Sequence, residues 1–320
     1  MKVSLITTVK DAGDRVGEFL ASVTAQTRQP DEVVVVDGGS TDGTLEILRR
    51  AEGIVLIEEP GANIARGRNL ALAAARYDPI AVTDADCVLE PDWLERILEP
   101  IEGGADVSMG WYRPIAETFL QRCMASVNLL DADEIDEARF MPSGRSVAFT
   151  RKAIEMAGGW PEWLDIGEDM YVDHKWRELG LDLRLARGAV VRWPLRRTLP
   201  ETWTQYFRYA RGDAIGGMHS ERNALRFGVY GGAIFAWGSR SPKLKLLTAA
   251  AGACYAARPV RRALSRHEGP VERAGAVLAV PALMVLTDIA KMAGYLAGLS
   301  ARRHLVSRPA VARSQSPSRC

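Results

Sequence analysis

Histidine and cysteine are scarce in this chain of 320 residues, which has four of each. Cys87, Cys123, Cys254 and Cys320 have neither metal-ligand spacing nor a paired pattern, which argues against a zinc module and a disulfide framework. His174 has no second histidine at ligand spacing, so it is not expected to bind a metal. The Met1 end lacks a charged segment followed by an apolar one, and a reducing, cytosolic compartment is the expectation. No repeat period or low-complexity core occurs. GxGxxG is missing too, so a dinucleotide fold gains no support.

Net charge is also nearly absent, at +1, but that value hides an asymmetry. Residues 1–189 hold 20 Lys and Arg against 34 Asp and Glu, whereas residues 190–320 hold 21 against 6. A basic C-terminal module of this kind attracts anionic lipid, nucleic acid or acidic polymers. Nucleic acid is not expected, because the basic residues have no recognised motif and no aromatic stacking platform.

What is present is an alternation of strand and helix signals. Residues 3–9, 32–37, 54–58 and 80–83 read as strands, and 15–25, 41–50 and 64–75 as helices. This order predicts an α/β fold with a mostly parallel sheet covered by helices on both faces. Beyond residue 105 the pattern loosens, with strands expected in VSMGWYRP and RSVAFT and a helix over 115–130.

Three acidic clusters fall at places where such a sheet binds ligands. VVVVDGGSTDGT puts Asp37 at the end of an apolar strand, before glycines that let a base or ribose approach. Taken alone, the same segment is equally a turn and a helix cap. TDADC places Asp84 and Asp86 after another apolar strand, where two carboxylates can hold a divalent ion that also bridges phosphates. In GEDMYVDHKW, Glu168 and Asp169 start a helix whose apolar residues are Met170, Val172, Trp176 and Leu179. Acids there are ordinary helix-dipole partners. The preceding GGWPEWLDIG loop could instead hold one beside a sugar hydroxyl as general base. Asp173 and His174 are expected on the helix surface.

Five segments in order, TTVKDAGDRVGEFLASVTAQTRQPDEVVVVDGGSTDGT, GANIARGRNLALAAA, AVTDADCVLEPDWLERI, PSGRSVAFTRKAIEMAGGWPEWLDIGEDMYVDHKWRELG and YFRYARGDA, resemble family 2 glycosyltransferases. That resemblance implies a GT-A fold, Rossmann-like, and transfer from a nucleoside-diphosphate sugar with inversion at the anomeric carbon. It implies a donor side of Thr8, Asp11, Asp37, Arg66, Arg68, Asp84, Arg208 and Arg211, and Mg²⁺ or Mn²⁺ on Asp86 and Asp84. It implies Asp169 as catalytic base beside Glu168, with Arg145, Trp160 and Trp163 on the acceptor side. Asn69 would be a structural companion of the arginines. Two departures stand out: Asp11-Ala12 where the family often has Asn-Glu, and Gly144 where relatives often carry serine, which suggests a more flexible acceptor-side loop.

The expected organisation is a catalytic domain over 1–225, with its donor half ending near 110, then a basic, apolar helical region over 226–305. A disordered tail would occupy 306–320. The run 274–299 approaches spanning length but carries Pro281, Asp288 and Lys291, so an interfacial or re-entrant helix on an anionic, cytoplasmic membrane face is expected. A soluble helical hairpin in the cytoplasm is the alternative. A lipid-linked saccharide or polysaccharide acceptor would suit the membrane reading. Rival functions are a nucleotidyltransferase, for which KDAGDR is a poor triphosphate loop, and a silent nucleotide-sugar-binding scaffold.

Overall fold

The computed structural model describes residues 1–131 and 134–306. Residues 307–320, where the tail was expected, lie outside the described residues. Eight strands form one sheet, with helices packed against it. They are β1 (Ser4–Val9), β2 (Glu32–Asp37), β3 (Ile54–Glu58), β4 (Ile80–Val82), β5 (Val88–Leu89), β6 (Val107–Ile115), β7 (Val147–Phe149) and β8 (Leu183–Pro194). Their spatial order is β3-β2-β1-β4-β7-β6-β8-β5.

The first four strands are parallel, as the strand–helix alternation predicts. All six residues of β2 are buried, which is why its VVVV is a continuous apolar run rather than an alternating one. Helices α1 (Arg15–Thr24), α2 (Thr44–Arg50) and α3 (Ile64–Ala74) make the crossovers. Because β2 and β4 flank β1, the sheet reverses its winding there, and the C-terminal ends of these strands border a switch-point crevice. Gly67 lets α3 approach that end of β1 closely: a Cβ there would lie 2.9 Å from Thr8 Cγ2.

The acceptor half is mixed. β7 runs antiparallel to β4 and β6, whereas β8 runs parallel to β6. Helix α4 (Trp93–Glu102) buries Trp93, Leu94, Ile97, Leu98 and Ile101, one stripe at helical spacing. Two expected helices start later than their apolar patterns suggest. Asp42 accepts from the Thr44 backbone and hydroxyl, and the helix expected from residue 41 begins at Thr44. Strand β6 continues through Ile115, so α5 (Phe119–Asn128) begins after a Thr118–Gln121 capping box. Helices α6 (Arg151–Ala157) and α7 (Glu168–Glu178) complete this half.

The remaining helices are α8 (Leu199–Gly216), α9 (Ser220–Gly238), α10 (Pro242–Arg266) and α11 (Gly269–Val306). The chain forms two compact units, one of residues Met1–Arg197 with Pro259–Val280, the other of Thr198–Arg258 with the chain from Pro281. In the first, the end of α10 is tied to the segment after α5 by Arg262–Glu134 at 2.9 Å and by Arg266–Asp131. In the second, buried Asp288 accepts from Arg226, Tyr230 and Tyr255 at 2.9, 3.1 and 3.2 Å. Asp288 is therefore a paired core acid. Among the described residues α11 alone is long and apolar enough to cross a membrane, and 39% of its most apolar window is buried. Large exposed apolar side chains stand on α9 and α10, including Leu225, Ile234, Phe235, Trp237, Leu246 and Leu247, and on α11, including Val271, Leu278 and Leu296.

Candidate active site

Asp37 ends β2 opposite Val9 of β1. One carboxylate oxygen, Oδ2, accepts from the Gly39 and Ser40 backbone N–H groups at 2.9 and 3.0 Å. The other, Oδ1, is buried with no hydrogen-bond partner among the described residues, an acceptor left for a ligand N–H or hydroxyl. Asp11, at φ 52°, accepts from the Thr41 backbone at 2.8 Å and donates its own N–H to the Ser40 hydroxyl at 2.9 Å. Its side chain thus braces the glycine loop beside Asp37. Thr8 is half-buried under Gly67.

The structure turns Arg68 inward. It is 3% exposed and bridges two motifs, donating to Asp84 at 2.9 Å and to Glu168 at 2.6 Å. A buried guanidinium suits two carboxylates because it donates through separate N–H groups. Burial, followed by the Asp169 charge, pushes the Glu168 carboxyl up to about 7 against the pull of Arg68. Gly144 explains the space: a Cβ there would fall inside the Arg68 guanidinium. The departure at Gly144 therefore reflects close packing rather than a flexible loop.

The same loop joins the clusters a second time. Gly144 N–H donates to Asp169 Oδ2 at 3.1 Å, and Arg145 Nε lies 3.7 Å from Asp84 Oδ2. Arg145 is held by the Ser143 hydroxyl at 2.9 Å and by the Trp193 ring, 4.1 Å from its guanidinium carbon. It thus lies beside the TDADC carboxylates as well as on the loop that reaches Asp169. Asp86 is half-buried next to Asp84. Burial first, then the Asp84 charge, raises its carboxyl above the ordinary range, with Arg145 and Arg196 opposing. Asp84 and Asp86 together could be two hard ligands of a divalent ion whose remaining ligands come from a diphosphate. No group of three or more His, Cys, Asp or Glu side chains is placed to hold a metal among the described residues.

Other expected residues fall into different roles. Arg66 is exposed and paired with Glu59 at 2.5 Å and with Glu162 at 3.6 Å. Trp160, expected on the acceptor side, is 4% exposed and packs edge-on to Phe149, so its ring belongs to the core. Asn69 fixes that loop by accepting from Trp160 N–H and donating to its carbonyl, at 2.9 and 2.8 Å. Trp163 is 55% exposed and edge-on to Tyr171, leaving a face open to solvent. Arg208 and Arg211 share a face of α8 in the second unit. Trp193 and Arg196 were missed by motif reasoning, although the aromatic and basic run WPLRR across the end of β8 is a usable signal. Asp173 was expected on the surface and is 2% exposed.

Residues 4–145 match the model for glycosyl transferase family 2. The chain carries a family 2 glycosyltransferase domain. This glycosyltransferase is 28% identical to glycosyltransferase AglE of Haloferax volcanii over 221 residues, covering 66% of the chain and 72% of that relative. It is 25% identical to the O-antigen chain rhamnosyltransferase RfbN of Salmonella typhimurium over 222 residues, 65% of the chain and 71% of the relative. Among solved structures it resembles the mannosyltransferase PcManGT of Pyrobaculum calidifontis, solved with GDP-Man and Mn²⁺, at a TM-score of 0.55 and 20% identity, covering 96% of this chain and 88% of that one. The fold is accordingly GT-A-like, and the enzyme's relatives include proteins of cell-envelope glycan synthesis.

Proposed function

We propose that the glycosyltransferase moves a sugar, with inversion, from a nucleoside-diphosphate donor to a hydroxyl of a lipid-linked or polysaccharide acceptor. The observation that carries this reading is the Arg68 bridge, which gathers Asp84 and Glu168, with Asp169 beside it, at one place. Asp37, through its unpartnered Oδ1, would take the nucleoside. Asp86 and Asp84 would hold Mg²⁺ or Mn²⁺, which when bound neutralises charge on the diphosphate. Asp169 would receive the acceptor hydroxyl proton as that oxygen bonds to the anomeric carbon. The bond from that carbon to the diphosphate breaks as the new one forms, and the diphosphate leaves with the electron pair. Trp163 offers the acceptor an exposed aromatic face.

The enzyme works at an anionic, cytoplasmic membrane face in this reading. Support comes from α9 and α10, whose apolar side chains stand exposed, with Arg240, Lys243 and Lys245 at the turn between the helices. The same reading keeps 274–299 in the contact, since Val277, Leu278, Val285, Ile289 and Leu296 of α11 are exposed as well.

Titration calorimetry of UDP, GDP and dTDP with and without Mn²⁺, on wild type and Asp86→Ala, tests the donor site. The expected result is metal-dependent binding of one diphosphate that the variant loses. Binding of none of them by folded protein would overturn the donor-site reading.

A further inference from the structure

One buried acid has no part in this scheme. Asp173 lies one turn after Asp169 on α7, so the two carboxyls share a face of the helix. Ser143, Gly144, Trp160, Trp176 and both aspartates line a cavity of about 10 Å³, the lower limit for a single water. Asp173 is 2% exposed, and its Oδ2 has no hydrogen-bond partner among the described residues.

The charged groups near Asp173 are Asp169, Glu168 and Arg177 of α7 and Arg68 of α3. Neither arginine is spent on it. Arg177 donates to the carbonyls of Ala138 and Phe140, and Arg68 is bound between Asp84 and Glu168. Burial, then the charge of Asp169, pushes the Asp173 carboxyl well above the usual carboxylate range. An uncompensated buried anion one turn from a second carboxylate is far costlier than a neutral acid, which also has a proton to donate.

We infer that Asp173 is a positioning residue for the base, a neutral carboxylic acid whose O–H is directed through the shared cavity at the Asp169 carboxylate. The inference rests on the reading of Asp169 as base. A hydrogen bond to the ionised form of Asp169 keeps it deprotonated and fixes its rotamer, with a single water completing the path. The acceptor proton still goes to Asp169, and Asp173 keeps its own throughout.

Two variants and a spectrum test this. Asp173→Asn retains a neutral donor, so the acid limb of the kcat–pH profile stays within about 0.3 units of wild type. Asp173→Leu removes the donor, so that limb moves up by about one unit and kcat falls roughly tenfold, the worth of one hydrogen bond to a charged group. Difference infrared spectra of wild type against Asp173→Asn at neutral pH should contain the C=O stretch of a protonated carboxylic acid. A downward move of the limb in Asp173→Asn, or no acid band, would mean that Asp173 is charged and would overturn the inference. An unmoved limb in Asp173→Leu would leave only packing and would overturn it as well. Undiminished transfer by Asp169→Asn is a separate outcome that rejects the base assignment, and the infrared result stands independently of it.

Discussion

The two units treat apolar residues in opposite ways. In the sheet-containing unit, β2 buries its whole length and α4 buries five large side chains in one stripe. In the helical unit, Ile234 is 75% exposed, Phe235 72% and Leu246 73%. The hydrophobic content of the sheet and the helices that cover it is explained by their own core. In the second unit, the proposed contact with an anionic membrane surface would cover the exposed apolar side chains, and the basic residues at its turn suit that surface. Its buried polar cluster around Asp288 is fully paired, so the exposed face does not reflect a poorly formed interior.

The largest expected effect lies in the core of the first unit. Ile97→Ala on α4 should cost about 2–5 kcal/mol in denaturant unfolding, because the site is fully buried. Ile234→Ser on α9 should stay within about 0.5 kcal/mol in the same experiment. Flotation with anionic vesicles should show the reverse order, with Ile234→Ser combined with Phe235→Ser weakening binding and Ile97→Ala leaving it intact. Equal destabilisation by both, or unchanged flotation of the double variant, would remove the contrast between the units.

Within the first unit, Arg68→Met should cost about 3 kcal/mol, since it strands Glu168 in a buried setting and releases Asp84. Gly144→Ala should cost about 1–3 kcal/mol through overpacking against that guanidinium, with turnover falling in parallel. Loss of turnover without loss of stability would mean that the loop acts on substrate rather than through Arg68.

The smallest expected effect is a pH slope. The Glu168 carboxyl sits at about 7 in the fold against an ordinary 4.5, so the folded state binds its proton more tightly. The stabilisation from that proton is complete below 4.5 and is lost as pH rises through 7. Glu168→Gln should flatten the fall in melting temperature across that window, and an unchanged slope would assign it elsewhere.

Much of the donor half was legible from residues alone. VVVV followed by Asp37, and IAVT followed by Asp84, are apolar runs that end in acids, and parallel strands buried on both faces produce that signature. What could not be read depends on contacts across long separations in the chain. Arg68 faces inward because Glu168, a hundred residues later, and the gap at Gly144 receive it. The apolar residues Met170, Val172, Trp176 and Leu179 signal a helix but do not show which of its faces is buried. The buried residues of α7 are Glu168, Val172, Asp173 and Trp176, whereas Leu179, just past its end, is 42% exposed. Trp160 was expected on the acceptor side, and its ring is buried against Phe149 while Asn69 holds its backbone. Length and hydropathy pointed to 274–299 for membrane contact, and α11 meets both criteria with 39% of its most apolar window buried. Hydropathy counts apolar residues without recording which neighbours cover them.

The most direct test of the account is sugar transfer by Asp169→Asn, measured beside its calorimetric affinity for the nucleoside diphosphate that the wild type binds. The account predicts that transfer falls by about a hundredfold or more while affinity stays within about threefold, because the base acts on the acceptor proton and not on the donor. Transfer at the wild-type rate would contradict it.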